Sequence, residues 1–181
     1  MKQVLHRKAL PRQRGFSLIE TVIVIVLVGA MMAGMSVMFV ENVGQSYRPY
    51  LRQRAVAVAN SFMDEILHKR WNENTPIGGG CVNTGTGTCP AGNAPAAIGS
   101  DGETRANFDD IDDYHNLSLS PPEDSTGSVM PDYTGFSVSV TVSQPGANWN
   151  SIPAADVRLI QVSVTSSANE TISLQAYRVN N

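Results

Sequence analysis

Apolar residues crowd one end of this chain and alternate with polar ones at the other. From Phe16 to Val40, 25 consecutive residues hold a single ionisable side chain, Glu20. At about 1.5 Å of rise per residue, that stretch is long enough as a helix to cross a hydrocarbon layer of about 30 Å. The apolar positions then thin to a stripe, Leu51, Ala55, Val58, Phe62 and Ile66. Those steps of three and four predict an amphipathic helix over residues 41–72. Within it Glu65 and Lys69 are spaced for an i,i+4 ion pair, and Pro49 either kinks the helix or separates its two parts. Beyond Trp71 the composition turns to Asn, Thr, Gly and Pro, so residues 73–132 read as irregular connection, and Gly78-Gly79-Gly80 is no phosphate-binding loop. Alternation returns in Phe136, Val138, Val140, Val142, then in Ile160, Val162, Val164 with Val157 ahead of them, then in Ile172, Leu174, Ala176. Each run suits a half-buried strand, and the turn-forming segments between them predict an antiparallel meander over 133–181. The fold class expected is α+β, with the apolar face of the sheet on the Leu51 to Ile66 stripe.

Charge sharpens this picture. Five of the 13 basic residues, Lys2, Arg7, Lys8, Arg12 and Arg14, lie in the first 14 positions, where no acidic residue stands. Residues 1–15 read as a basic leader; without it 8 basic and 16 acidic residues leave a net charge of −8, which argues against a nucleic-acid partner. Arg48, Arg52 and Arg54 form the other basic cluster, and a helix just outside a membrane suits them. The apolar run is too long for a signal-peptide core and is followed by no small-residue cleavage site, so residues 16–40 read as a retained membrane span. Basic residues before it and Glu41 after it orient the N-terminus to the cytoplasm and the bulk of the chain outside.

Glu20 is the anomaly, because a charged carboxylate within a span costs about 2.5–3.5 kcal/mol or more unless it has a partner. Its neighbours supply a reason. Arg14-Gly15-Phe16-Ser17-Leu18-Ile19-Glu20 resembles the prepilin processing motif of type IV pilins and type II secretion pseudopilins: a basic leader ending in Gly, an aromatic residue, then Glu inside the apolar start. The resemblance implies cleavage between Gly15 and Phe16 by an inner-membrane prepilin peptidase and N-methylation of Phe16. It also implies a role for Glu20 in neutralising the terminal amine of an adjacent subunit during assembly. Gly15, lacking a Cβ, lets a protease approach the backbone closely. The leader is longer than in many pilins, and the span lacks the proline usual in major pilins; Gly29 and Gly34 are the candidates for flexibility. A pilin-type fold, a long N-terminal helix on a C-terminal antiparallel sheet, agrees with the periodicities. The Arg54 to Trp71 helix, the Thr75 to Cys81 turn and the acidic stretch together resemble the D-type minor pilins of mannose-sensitive haemagglutinin (MSHA) pili. The partners implied are the peptidase, other major and minor pilins and the inner-membrane assembly platform.

Two further features carry candidate chemistry. Cys81 and Cys89 flank a flexible loop and can close a local disulfide in an oxidising compartment such as a bacterial periplasm; their spacing matches no zinc site. Asp109, Asp110, Asp112 and Asp113 place four carboxylates in five positions, which calcium would relieve, although the spacing is not that of an EF-hand. These acids with His115 raise the alternative of a membrane-anchored hydrolase, but no nucleophile elbow, HExxH or separated carboxylate pair supports catalysis, and no enzyme is expected. A minor pilin is the leading function, and a minor pseudopilin of a type II secretion system is its alternative, since both share the processing motif.

Overall fold

The computed structural model describes residues 15–181; the basic leader lies outside the described residues but for Gly15. The chain divides into two compact units, the first ending at Ser46 and the second spanning Tyr47–Asn181.

One helix, α1, runs Leu18–Leu67 with Pro49 inside it, so the proline does not end the helix. In the first unit the apolar stretch Leu18–Ser36 is exposed all round. By length and composition it can cross a bilayer. In the second unit only a stripe of α1 is buried. The stripe is Leu51, Ala55, Val58, Phe62 and Ile66, widened by Ala59 and Met63.

That stripe packs in one core with a four-stranded antiparallel sheet of order β1-β2-β3-β4. The strands are β1 Leu117–Leu119, β2 Ser137–Ser143, β3 Val157–Thr165 and β4 Thr171–Val179. Register aligns Val138 with Val164, Val140 with Val162 and Val142 with Ile160, and continues to Ile172, Leu174 and Ala176 on β4. One face is therefore a continuous branched-aliphatic surface, while the other carries Ser, Thr and Gln. The turn between β3 and β4 is Ser166 to Asn169, with Asn169 in the left-handed region at φ 58° and the Ser166 amide donating to the Glu170 carbonyl.

Two local expectations are corrected. The region 73–132 contains a strand, β1, whose Leu117 and Leu119 extend the inner face beside Val140 and Val138; two apolar residues are too few to show a period. The helix stops at Leu67, short of Trp71, because the backbone of Arg70 is taken by the acidic loop. The Arg70 amide donates to the Asp109 carbonyl at 3.3 Å, and the Ile111 amide donates to the Arg70 carbonyl at 2.9 Å.

Candidate functional site

The processing residues lie at the start of α1. Gly15, Phe16 and Ser17 precede the helix, and the first turn closes when the Thr21 amide and hydroxyl both donate to the Ser17 carbonyl. Phe16 is 83% exposed, and a Cβ built on Gly15 would meet no atom within 4 Å. The Gly15–Phe16 peptide bond is thus non-helical and uncovered by the described residues, the state a protease needs in order to draw a chain into its own extended register. Glu20 stands exposed in the first helical turn, where the free amides and the helix dipole favour a carboxylate. It is four residues from Phe16, so both lie at the same end of the helix.

The acidic stretch is built into the head by arginines. Asp112 is 1% exposed and receives the Arg158 guanidinium through Nε at 2.7 Å and Nη2 at 3.0 Å, with Asn72 donating at 2.8 Å. Arg158 in turn lies over the Trp71 ring at 4.1 Å. Asp109 pairs with Arg70, which also holds Glu73 at 3.0 Å. Asp113 accepts the amides of Asp109 and Asp110, and Asp110 accepts the amide of Asp113. The four carboxylates therefore do not converge. Asp112 faces the core, and the oxygens that do gather are those of Glu73, Asp109 and Asp110 in one group and of Glu103, Asp109 and Asp113 in another. Burial, then the charges of Asp113 and Asp112, push the Asp110 carboxyl up to about 7.

The expected Glu65–Lys69 pair is also replaced. Arg105 binds Glu65 in a two-pronged fork at 2.7 and 2.8 Å, and the Tyr114 hydroxyl donates to Glu65 at 2.6 Å. Lys69 instead donates to the Phe108 carbonyl. Burial alone would raise the Glu65 carboxyl, but the Arg105 fork and the Tyr114 hydroxyl outweigh it and hold it below the ordinary value. A bidentate guanidinium is stronger and more directional than an exposed ammonium, so the partner from the loop displaces the partner one turn away. Of the Arg48, Arg52 and Arg54 cluster, Arg54 sits 4.5 Å from the Tyr133 ring centre and donates to the Asp132 carbonyl, and Arg52 approaches Glu170 at 3.7 Å.

Cys81 and Cys89 form a disulfide with their Cα atoms 5.9 Å apart. The loop it closes is anchored by a residue that sequence reasoning passed over. Asp156 is buried and accepts from the hydroxyls of Thr84 and Thr86 and from the Asn180 amide. Burial would raise its carboxyl, yet those donors win and lower it. Asn180 also clamps both backbone groups of Val82. Gly92 is required where the returning chain crosses, since a Cβ there would come within 2.7 Å of the Cys81 carbonyl oxygen. The signal for Arg158 was present in the sequence: it is a charged residue in phase with Ile160, Val162 and Val164, which places it on the inner face.

Residues 10–36 match the family described as the prokaryotic N-terminal methylation motif. No curated protein and no solved structure matches the chain. The motif implies processing by a prepilin peptidase and assembly with other pilins, and with the apolar helix it implies membrane anchoring. The matched residues include Gly15, Phe16, Glu20 and the apolar stretch to Ser36, ahead of an α+β fold consistent with that of type IV pilins; the chain carries a type IV prepilin-like N-terminal methylation motif, which marks structural subunits and not enzymes.

Proposed function

We propose that this protein is a minor pilin of an MSHA-type type IV pilus. Its leader is removed between Gly15 and Phe16, Phe16 is N-methylated, and Glu20 receives the terminal amine of a neighbouring subunit. Before assembly it is a single-pass inner-membrane protein with its head in the periplasm. The observation that carries the reading is the matched motif, with its open Gly15–Phe16 bond, at the start of an apolar helix exposed all round. The Cys81–Cys89 disulfide supports the periplasmic side, since such bonds persist in oxidising compartments. The −8 charge and the Ser, Thr and Gln surface of the sheet suit a subunit displayed to water.

Intact mass and N-terminal sequence of the membrane-extracted protein from prepilin-peptidase-positive cells test it. The expected product begins at methylated Phe16 and is absent from Gly15→Val, whose branched side chain blocks approach to the scissile bond. An uncut chain in the wild type would reduce the protein to an ordinary single-span anchor. Mass spectrometry of sheared surface filaments then separates the pilus from the secretion pseudopilus: recovery with pili supports the proposal, and confinement to the cell envelope supports the pseudopilin.

A further inference from the structure

A cavity of about 180 Å³ lies where α1 gives way to the Arg70 bridge, against the glycine loop 78–80 and the end of β4. His68, Lys69, Arg70, Trp71, Arg178 and Asn181, the last residue of the sequence, are among the residues that line it, and no carboxylate side chain does. The space is several times what one water needs.

The cations around it are unequally satisfied. Arg70 is held by Asp109, Glu73 and the carbonyls of Glu73 and Thr75, and Lys69 donates to the Phe108 carbonyl. Arg178 has no ion-pair partner among the described residues, and its Nε is buried without an acceptor. Directly across the β3–β4 ladder from it stands Arg158, on the same inner face. Asp112 answers one of these two facing guanidinium charges, and Arg158 still keeps Nη1 buried and unpartnered. Like charges in register repel, and a buried donor without an acceptor costs free energy; no side-chain carboxylate among the described residues answers the Arg178 charge. The loop adds neutral donors: neither the Gly78 nor the Gly80 amide has an acceptor among the described residues, and both glycines hold positive φ, at 96° and 129°.

We propose that this cavity binds a small oxyanion, a carboxylate or phosphate group, with Arg178 as its principal ligand. The planar guanidinium fork matches two oxygens of either group, and the glycine loop brings backbone close without side chains in the way. The site stands apart from the processing motif, so it holds or fails independently of the function proposed above.

The test is the unfolding midpoint of the full chain in detergent, in sodium phosphate, sodium acetate and sodium chloride at matched ionic strength. The expected result is a midpoint that rises with the logarithm of phosphate or acetate concentration and not with chloride. The stronger of the two responses identifies the group preferred. Arg178→Gln should weaken the apparent affinity at least tenfold, and Arg178→Lys, which keeps the charge without the fork, should fall between. Both variants should fold, because Trp71 holds this end of β4 through the Arg178 backbone carbonyl. The exposed Arg52→Gln should respond like wild type. No response beyond chloride, or an undiminished one in Arg178→Gln and Arg178→Lys, would overturn the proposal.

Discussion

Leu18–Ser36 and Leu51–Ile66 are both helical and both rich in apolar side chains, yet they meet opposite fates. The first is apolar on every side and exposed along its length. The second is apolar on one stripe, and that stripe is buried in the core it shares with the sheet, with Ala55, Ala59 and Ile66 wholly inaccessible. Hydrophobic content is therefore not what separates an anchor from a core helix. The angular width of the apolar surface is: a stripe can be satisfied by one sheet, whereas a full cylinder needs lipid or other helices on all sides.

Charge adds to the same contrast, because the head pairs Asp112 with Arg158 and Glu65 with Arg105 while Glu20 stands exposed in the first turn of α1. Asp112→Asn removes one half of a buried pair and strands Arg158, so equilibrium denaturation of the full chain in detergent should lose about 3–5 kcal/mol. Glu20→Gln should leave that transition unmoved. Next in size, Ile66→Ala opens a cavity in the core and should cost about 3 kcal/mol, whereas Ile23→Ala, on the exposed cylinder, should not shift the head's midpoint. Equal losses at the two positions would show that the apolar stretch is packed on the head and would break the comparison.

Reduction of the Cys81–Cys89 bond frees a short loop and should cost about 2.5 kcal/mol on the chain-entropy account, read as the drop in midpoint with reductant. A titratable group supplies the smallest effect. The Asp110 carboxyl has a folded value raised to about 7, so the native state holds its proton where the unfolded chain has released it. Stability from this group is present in full below the ordinary carboxylate range and is lost as pH rises toward about 7. From about pH 5 to 7 the loss should reach about 2 kcal/mol, and Asp110→Asn should flatten that slope. Calcium added at about pH 8 should raise the wild-type midpoint, and not that of Asp110→Asn, if Glu73, Asp109 and Asp110 hold a cation; an unchanged midpoint with calcium and with EDTA would remove the calcium reading.

The sequence by itself determined the elements whose signal is periodic. The long apolar run named its helix, and the three-and-four spacing of Leu51 to Ile66 and the three alternating strands repeat often enough to name both the element and its buried face. The motif around Gly15, Phe16 and Glu20 was legible for a related reason: its chemistry is carried by residues contiguous in the chain. The tertiary structure decided everything that depends on long-range choice among partners. Glu65 had a basic neighbour one turn away and took Arg105, 40 residues distant. Asp112 read as a metal ligand among acids until β3 brought Arg158 to it, 46 residues on. Asp156 had no local signal at all, because its donors Thr84, Thr86 and Asn180 arrive from both sides of the chain. A buried ion selects the partner that best replaces its lost water, and that competition is settled only when the fold has brought the candidates together.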